Sequence, residues 1–506
     1  MNADTTGPHA DPHAVSHAGP HAVSPAGPHA VVVGGGITGL AAALRLLAAG
    51  ARVTLLEAGG RLGGKLFAGE IAGAPVDLGA ESLLARRPEA VALAEAVGLG
   101  DRLQPPGTTT ASVWSRGRLV PMPKGHVMGV PGDAGAVAGL LSEEGLRRIG
   151  QDLELPPTDI GDDTAIGAYV AARMGREVVD RLVEPLLGGV YAGDAYSISM
   201  KAAVPALLEA ARRHPTLTAA VRAVQASGSA VPMDVAGAAT GLGGAAFAGL
   251  DGGIGTLPGA VADAVRAAGG TILTGTPATA LLRAGTGWRV VTPERTLDAD
   301  AVVLAAPAPV AAGLLRGHAP EAAALLGGID YASMALVTLA FRRADLPELP
   351  GSGFLVPPVD GHTIKASTFS SQKWRWVGEA APELFVLRTS VGRHGEETWL
   401  HRDDEDLVAA SLKDLGAAAG LAAKPVATTV TRWNGGLPQY PVGHLERVAR
   451  VRAALAGLPG LRLAGAAYDG VGVPACVASA HRAADAVADE IIATSETGHP
   501  GAGHSS

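Results

Sequence analysis

Residues 30–39 read AVVVGGGITG, and this stretch decides the fold. Its apolar start is typical of a buried parallel strand. The next six residues satisfy the pattern Gly-x-Gly-x-x-Gly, and the run of strong helix formers after them ends before Gly50. A second strand is predicted over residues 52–56, and it leads to Glu57, 21 residues beyond Gly36. Strand, turn, helix, strand and terminal acid together predict a complete βαβ unit.

The glycine turn predicts a dinucleotide site in which each part has its own task. A tight turn requires Gly34, close approach of the backbone to a pyrophosphate requires Gly36, and helix-to-strand packing requires Gly39. The helix N-terminus then offers free N–H groups and a positive dipole end to the phosphates. Glu57 would accept hydrogen bonds from the ribose hydroxyls. The predicted contacts in the turn are Gly34, Gly35, Gly36, Ile37, Thr38 and Gly39.

The continuation after Glu57 favours FAD over NAD. Residues 58–65 read AGGRLGGK, and here the sequence resembles the superfamily of monoamine oxidase, phytoene desaturase and protoporphyrinogen oxidase, in which a Gly- and Arg-bearing loop runs along the flavin. Residues 77–82, DLGAES, match the superfamily's second flavin contact. The resemblance implies FAD as the cofactor and these contacts: Ala58, Gly60, Arg61, Gly64, Lys65, Gly79, Ala80, Glu81 and Ser82.

A third segment, near the end of the chain, completes the predicted site. Residues 461–465 read as a strand ending in glycine, and residues 469–474, DGVGVP, lead into a helix predicted over 475–492. In flavoproteins that resemble this chain, that helix start points at the flavin's pyrimidine edge, where its dipole would stabilise the reduced anion. The implied contacts are Ala278, Trp433, Gly465, Val471, Gly472 and Val473.

The 506 residues exceed what one hydrophobic core usually organises, so two domains are expected. We predict an α/β fold, in which a three-segment Rossmann-type FAD-binding domain is interleaved with an α+β substrate-binding domain. The first substrate segment is helix-rich, and the second alternates as strands. The predicted FAD-binding segments are 29–113, 249–330 and 433–493, the substrate-binding segments are 114–248 and 331–432, and the disordered tails are 1–28 and 494–506.

Several further segments look like protoporphyrinogen oxidase family motifs: VPMPKGH at 120–126, EPLLGGVYAGD at 184–194, GGIGTLP at 252–258 and PQYPVGH at 438–444. The resemblance runs from about residue 29 to 492. Together with TFSSQKW at 368–374, it is greatest to the bacterial branch that oxidises coproporphyrinogen III to coproporphyrin III in heme biosynthesis. Protoporphyrinogen IX is the leading alternative substrate.

The implied reaction removes six electrons, so a two-electron flavin turns over three times and O2 reoxidises it to give hydrogen peroxide. No strong protein base is required, because solvent and ring tautomerisation handle the protons. The four propionates of the substrate call for basic residues around an apolar floor. Lys65 is the predicted catalytic residue. Weaker candidates for the pocket are Arg86, Lys124, His126, Lys365, Lys373, His444 and Tyr191.

Composition narrows the other possibilities. The net charge of −8 and the absence of a basic run argue against nucleic acid. The single cysteine, Cys476, excludes an internal disulfide and a thiolate metal cluster, and it fits the cytoplasm. No secretory signal, membrane span or metal site is predicted. Peripheral membrane association and transient contact with heme-pathway enzymes stay open. A flavin amine oxidase and a flavin-binding scaffold without turnover are the remaining alternatives.

Overall fold

The computed structural model describes residues 27–227 and 245–497. Among these residues, five parallel strands form a central sheet. Their side chains alternate between two cores, because Val32 packs on one face of the sheet and Val31 on the other. The parallel sheet confirms the predicted Rossmann-type fold class. The strand order is Thr271–Leu273, Arg52–Leu56, His29–Val33, Ala301–Leu304 and Leu461–Leu463.

Both faces of the central sheet are covered. On one face, the helices Ile37–Ala48, Pro88–Ala96, Leu257–Ala267 and Val473–Thr497 share a core. The last of these helices was predicted over 475–492, so its true bounds extend beyond the prediction at both ends. The opposite face packs against the helices Ala308–Leu315, Pro320–Gly327 and His444–Leu455 and a three-stranded antiparallel sheet of Ala280–Ala284, Gly287–Val291 and Thr296–Ala299.

A second sheet, with seven strands in the described part of the chain, is built mainly from the later segment. Helix Asp404–Ala419 packs on it, since Leu407 shares a core with Phe341, and Asp403 caps the first turn of that helix. All neighbouring strands are antiparallel except one pair, Gly353–Leu355 with Ser112–Ser115. The strand order is Ala427–Pro438, Tyr331–Arg342, Leu384–Val391, Ile364–Thr368, Gly353–Leu355, Ser112–Ser115 and Arg118–Pro121.

The segment from residue 143 to residue 226 is mostly helical, in agreement with the prediction of a helix-rich segment. Its helices enclose a core that also receives Tyr440 from much later in the chain. A buried ion pair joins Arg173 Nε to Asp152 Oδ1 at 2.6 Å inside this unit. The helices are Glu143–Gly150, Ile166–Met174, Arg176–Val178, the π-helical turn Val179–Val183, Glu184–Tyr191, Met200–Ala203, Pro205–Arg213 and Leu217–Ala226, and two short helices, Ser370–Lys373 and Arg375–Ala380, belong to the later segment.

Small elements complete the described structure. The remaining strands are Ala68–Ile71 with Ala74–Asp77, His126–Val127 with Val130–Pro131, and Leu83–Leu84, Phe247–Leu250 and Leu103–Gln104 together. The 3-10 turns are Gly100–Arg102, Gly135–Val137, Gln151–Leu153, Ile254–Thr256, Arg343–Asp345, Pro358–Asp360 and Thr398–His401. None of the helices among the described residues combines the length and apolar character needed to cross a bilayer.

The domain division stays a prediction. Three of its boundaries, at 113/114, 248/249 and 432/433, fall inside the strands Ser112–Ser115, Phe247–Leu250 and Ala427–Pro438. Backbone pairing therefore continues across these positions, and sequence composition carries no mark of it. The tails predicted to be disordered lie outside the described residues, except for positions 27, 28 and 494–497.

Candidate functional site

The glycine turn connects the central strand to the first helix and leaves open space at one position. Gly34 has a φ of +113°, and a Cβ on it would lie 2.8 Å from the Ala305 carbonyl carbon. A Cβ on Gly39 would lie 1.8 Å from the Gly34 oxygen, so helix and turn touch there. Gly36, in contrast, would meet nothing within 4 Å. The helix begins at Ile37, and its first N–H groups therefore border an open region that suits a pyrophosphate.

Glu57 ends its strand and organises the adjoining loops. One carboxylate oxygen accepts a hydrogen bond from the Gly35 amide at 2.7 Å, and the other accepts from the Gly59 amide, also at 2.7 Å. Two carboxylate oxygens offer about four acceptor positions, so capacity for ribose hydroxyls remains. The Glu57 carbonyl accepts from the amide of Thr276, which brings the loop that carries half-buried Ala278 alongside.

The loop after Glu57 folds back onto the glycine turn. The Gly63 amide donates to the Gly35 carbonyl at 2.8 Å. The Arg61 guanidinium donates to the carbonyls of Leu62, Leu66 and Gly64 at 2.9, 3.0 and 2.6 Å, and it lies 4.2 Å above the Phe67 ring. Arg61 thus holds the loop through its own hydrogen bonds. Ala58 and Gly60 are exposed in this loop, and a Cβ on Gly60 would meet no protein atom within 4 Å.

Lys65 lies between Glu57, from early in the sequence, and Cys476 of the last helix. Its side chain is accessible to solvent, yet the surrounding protein restricts hydration and lowers the pKa of its ammonium, while Cys476 and Glu57 nearby act in the opposite sense. Cys476 belongs to the first turn of the last helix, and burial raises the pKa of its thiol to about 11. The thiol donates to the Gly470 carbonyl oxygen at 3.8 Å, and Thr38, in the first turn of the first helix, lies beside it. The thiol is therefore protonated at neutral pH, as expected for a structural cysteine.

The second predicted flavin loop packs directly against the first. The Ala80 amide donates to the Lys65 carbonyl at 3.0 Å, and a Cβ on Gly79 would lie 2.1 Å from the same oxygen. The Trp433 indole donates to the Leu78 carbonyl at 3.3 Å. Gly79, Ala80 and Trp433 are thus brought together with Lys65, and half-buried Ser82 follows in the same loop.

Glu81 has partners that the sequence did not reveal. Its buried carboxylate pairs with Lys373 Nζ at 2.6 Å and with Arg388 Nη2 at 3.0 Å. Burial alone would raise the pKa of Glu81, but the two cations hold it below its usual value. Arg388 also donates to the Gly79 carbonyl at 2.7 Å, which joins this loop to the seven-stranded sheet. Lys373, a candidate for binding a propionate, is instead engaged by Glu81.

The residues that lead into the last helix lie against the first turn of helix Ile37–Ala48. A Cβ on Gly465 would lie 3.8 Å from the Thr38 hydroxyl, and the Cys476 amide donates to the Gly472 carbonyl as the helix begins at Val473. Val471 packs against the helical core that contains Tyr191 and Tyr440. The residues predicted near the flavin from the beginning and the end of the sequence are therefore neighbours in space.

The remaining pocket candidates differ in accessibility. Arg86 and Lys124 are exposed, whereas His126 and Tyr191 are buried. Lys365 is buried beside Arg393, and desolvation lowers the pKa of Lys365 to about 7. His444 is fully buried and stacks on Tyr440, so it is not accessible to a substrate carboxylate.

Comparisons with known proteins agree with this geometry. Residues 37–488 match the family described as flavin containing amine oxidoreductase. A Mycobacterium tuberculosis protein named coproporphyrinogen III oxidase is 41% identical over 473 residues, which cover 91% of this chain and 98% of that protein. Its namesake in Bacillus subtilis is 33% identical and covers 88% of this chain and 95% of its own length. The crystal structure of an Exiguobacterium protein assigned as a protoporphyrinogen oxidase is 35% identical, with a TM-score of 0.80 and coverage of 92% and 99%.

The chain belongs to the flavin containing amine oxidoreductases, since the family model spans most of its length. It is an FAD-dependent oxidase. The described residues fit this cofactor, because a Cβ on Gly36 would meet no protein atom, Glu57 keeps free acceptor positions and two helices begin close to one another at Ile37 and Val473.

Proposed function

We propose that this chain oxidises coproporphyrinogen III to coproporphyrin III with O2 in heme biosynthesis. The observation that carries the proposal is that the glycine turn, the loop that contains Lys65 and the start of the last helix meet beside the open position at Gly36. The names of the relatives from Mycobacterium tuberculosis and Bacillus subtilis support the substrate.

We propose that residues 34–39 and Glu57 hold the dinucleotide part of FAD, and that Gly79 to Ser82, Trp433 and residues 471–473 lie along its flavin. When bound, FAD supplies a two-electron acceptor that O2 reoxidises. The chain's own contribution is positioning and electrostatics. The Lys65 ammonium supplies positive charge beside this region, where it attracts the carboxylate-bearing substrate and orients it.

The overall reaction consumes one coproporphyrinogen III and three O2 and gives one coproporphyrin III and three hydrogen peroxide. Each of three cycles removes two electrons and two protons from the macrocycle. Burial raises the pKa of the Cys476 thiol to about 11, so the thiol is protonated at neutral pH and does not act as a base. A proton that leaves the macrocycle in a cycle passes to the solvent around exposed Lys65 and is taken up again when O2 is reduced to hydrogen peroxide.

The test compares two substrates with the purified protein after it has been loaded with FAD. Aerobic addition of coproporphyrinogen III should give porphyrin fluorescence with three peroxides per porphyrin, at a higher kcat/KM than protoporphyrinogen IX. A Gly36→Val variant that lacks FAD should give neither product and serves as the control. A flavin-loaded protein that is inert with both substrates would contradict the proposal.

Protoporphyrinogen IX is the second candidate substrate, and the similarity to the Exiguobacterium protein favours it. Both substrates are cyclic tetrapyrroles, but protoporphyrinogen IX carries two propionates instead of four. A higher kcat/KM for protoporphyrinogen IX in the same assay would assign that reaction to this chain.

We further propose that the protein works in the cytoplasm and passes its product to a later heme-pathway enzyme through transient contact. The single cysteine supports the compartment. Coproporphyrin III is a flat apolar ring with charged edges, and such a ring aggregates when it is released into water, which favours direct transfer. Cross-linking in cell extract, with and without substrate, tests this contact.

A further inference from the structure

Tyr440 connects the helical unit of residues 143–226 with the residues that lead into the last helix. Its hydroxyl donates a hydrogen bond to the Ala466 carbonyl at 2.5 Å and accepts one from the Gly470 amide at 2.8 Å. Residues 465–470, here called the pre-helix segment, are therefore held near both ends by one side chain. The segment separates the last strand of the central sheet from the helix that begins at Val473.

The Tyr440 ring is itself fixed. It stacks on the His444 imidazole with ring centroids 3.9 Å apart and an interplanar angle of 21°. His444 Nε2 lies 3.0 Å from the Ala467 carbonyl oxygen, within the same pre-helix segment. Both aromatic residues are buried, and desolvation lowers the pKa of His444 to about 4, so its ring is neutral at physiological pH. The stack thus forms a rigid support behind the segment.

The residues around Tyr440 are bound to the helical unit that contains helix Glu184–Tyr191. The Gln439 side chain donates to the Tyr191 carbonyl at 2.8 Å, at the end of helix Glu184–Tyr191. The Tyr440 carbonyl accepts from the Ser199 amide at 2.9 Å. The Tyr440 residue is consequently anchored to the helical unit through its backbone and its neighbour Gln439, while its hydroxyl holds the pre-helix segment.

The pre-helix segment has room to move if this hold is lost. A cavity of about 600 Å³ is lined by Tyr440, Tyr468 and Gly470, among others. Within the described residues, the Tyr468 hydroxyl is buried and has no hydrogen-bond partner, although it lies in the same segment. The two tyrosines can therefore be compared, since the Tyr440 hydroxyl makes two hydrogen bonds to the backbone of the pre-helix segment and the Tyr468 hydroxyl makes none.

We propose that Tyr440 is a positioning residue that fixes the start of the last helix relative to the flavin. The inference rests on the proposed placement of FAD at that helix start. The positive end of a helix dipole stabilises the negative charge that accumulates on a reduced flavin, and this effect falls off within one turn. A helix start that is free to shift stabilises the reduced form less, so the reduction potential becomes more negative.

The experiment measures the two-electron potential of the bound flavin in the wild-type protein, in Tyr440→Phe and in Tyr468→Phe. Tyr440→Phe keeps the ring stack and removes both hydrogen bonds of the hydroxyl. We expect its potential to fall by about 30 mV for each tenfold loss in preference for the reduced form. The potential of Tyr468→Phe should equal that of the wild type. His444→Phe, which keeps the stack but removes the contact with Ala467, should shift the potential in the same direction and replaces Tyr440→Phe if that variant does not fold.

Two results would overturn the inference while leaving the proposed function intact. One is a flavin-loaded Tyr440→Phe protein with the wild-type potential. The other is an equal shift in the two tyrosine variants, which would mean that any lost hydroxyl in this region has the same effect. A wild-type protein that binds no FAD would overturn the proposed function and, with it, this inference.

Discussion

Substitution of Gly36 separates cofactor binding from folding. The residue has φ −70° and ψ 175°, a conformation open to any amino acid, and a Cβ would meet no protein atom within 4 Å. Gly36→Val should therefore change the free energy of unfolding of the FAD-free protein by no more than about 0.5 kcal/mol. Its side chain would project into the space proposed for the pyrophosphate.

The expected loss of affinity follows from overpacking against that ligand. A clash of about 1–3 kcal/mol raises the dissociation constant of FAD by roughly 5- to 150-fold. With FAD at one hundred times its wild-type dissociation constant, the wild-type protein gains about 2.7 kcal/mol of stability. A variant whose affinity is one hundredfold weaker gains only about 0.4 kcal/mol at the same concentration.

The assay combines titration with FAD, followed by quenching of flavin fluorescence, and denaturant unfolding with and without FAD. Gly39→Ala is the contrasting variant, because its Cβ would lie 1.8 Å from the Gly34 oxygen and should disrupt the FAD-free fold itself. A Gly36→Val protein that binds FAD with wild-type affinity would refute the placement of the pyrophosphate.

Three further changes test other parts of the structure. Lys65→Ala should lower kcat/KM more than flavin content, and exposed Lys413→Ala is the matched control; equal kinetics in both variants would remove Lys65 from the site. Folding lowers the pKa of Glu81, so the folded state binds fewer protons than the unfolded state. The stability that this group contributes should therefore be lost as the pH falls through its folded pKa. Glu81→Gln should flatten that part of an acid-unfolding profile. Asp152→Ala leaves buried Arg173 without its carboxylate and should cost about 3–5 kcal/mol in urea unfolding, whereas a loss below about 1 kcal/mol would show that the ion pair is dispensable.

Much of the fold could be predicted because its signals are local. The strand His29–Val33, the glycine turn and the first helix follow one another directly, and each is set by neighbouring residues. The parallel sheet was likewise indicated by short runs of apolar residues, and the strands of the segment 331–432 by the alternation of apolar residues. Boundaries were less predictable, since hydrogen bonds between distant strands extend elements such as Ala427–Pro438 across positions where composition changes.

The partners of the site residues could not be predicted. Glu81 was expected to contact the flavin, but only the folded chain shows its pairing with Lys373 and Arg388, which lie about 300 residues later. His444 was a candidate for substrate binding because an exposed and a buried histidine look alike in a sequence. Its burial against Tyr440 depends on the packing of two units.

The sequence by itself determined that this chain builds a dinucleotide-binding turn, because the glycine spacing, the following helix and the terminal acid act within about thirty residues of one another. The tertiary structure decided which side chains support the site. Whether Arg388 reaches the Gly79 carbonyl, or Tyr440 the Gly470 amide, is fixed by sheet register and helix packing. Such contacts join residues that are far apart along the chain, and no periodicity or spacing in the sequence records them.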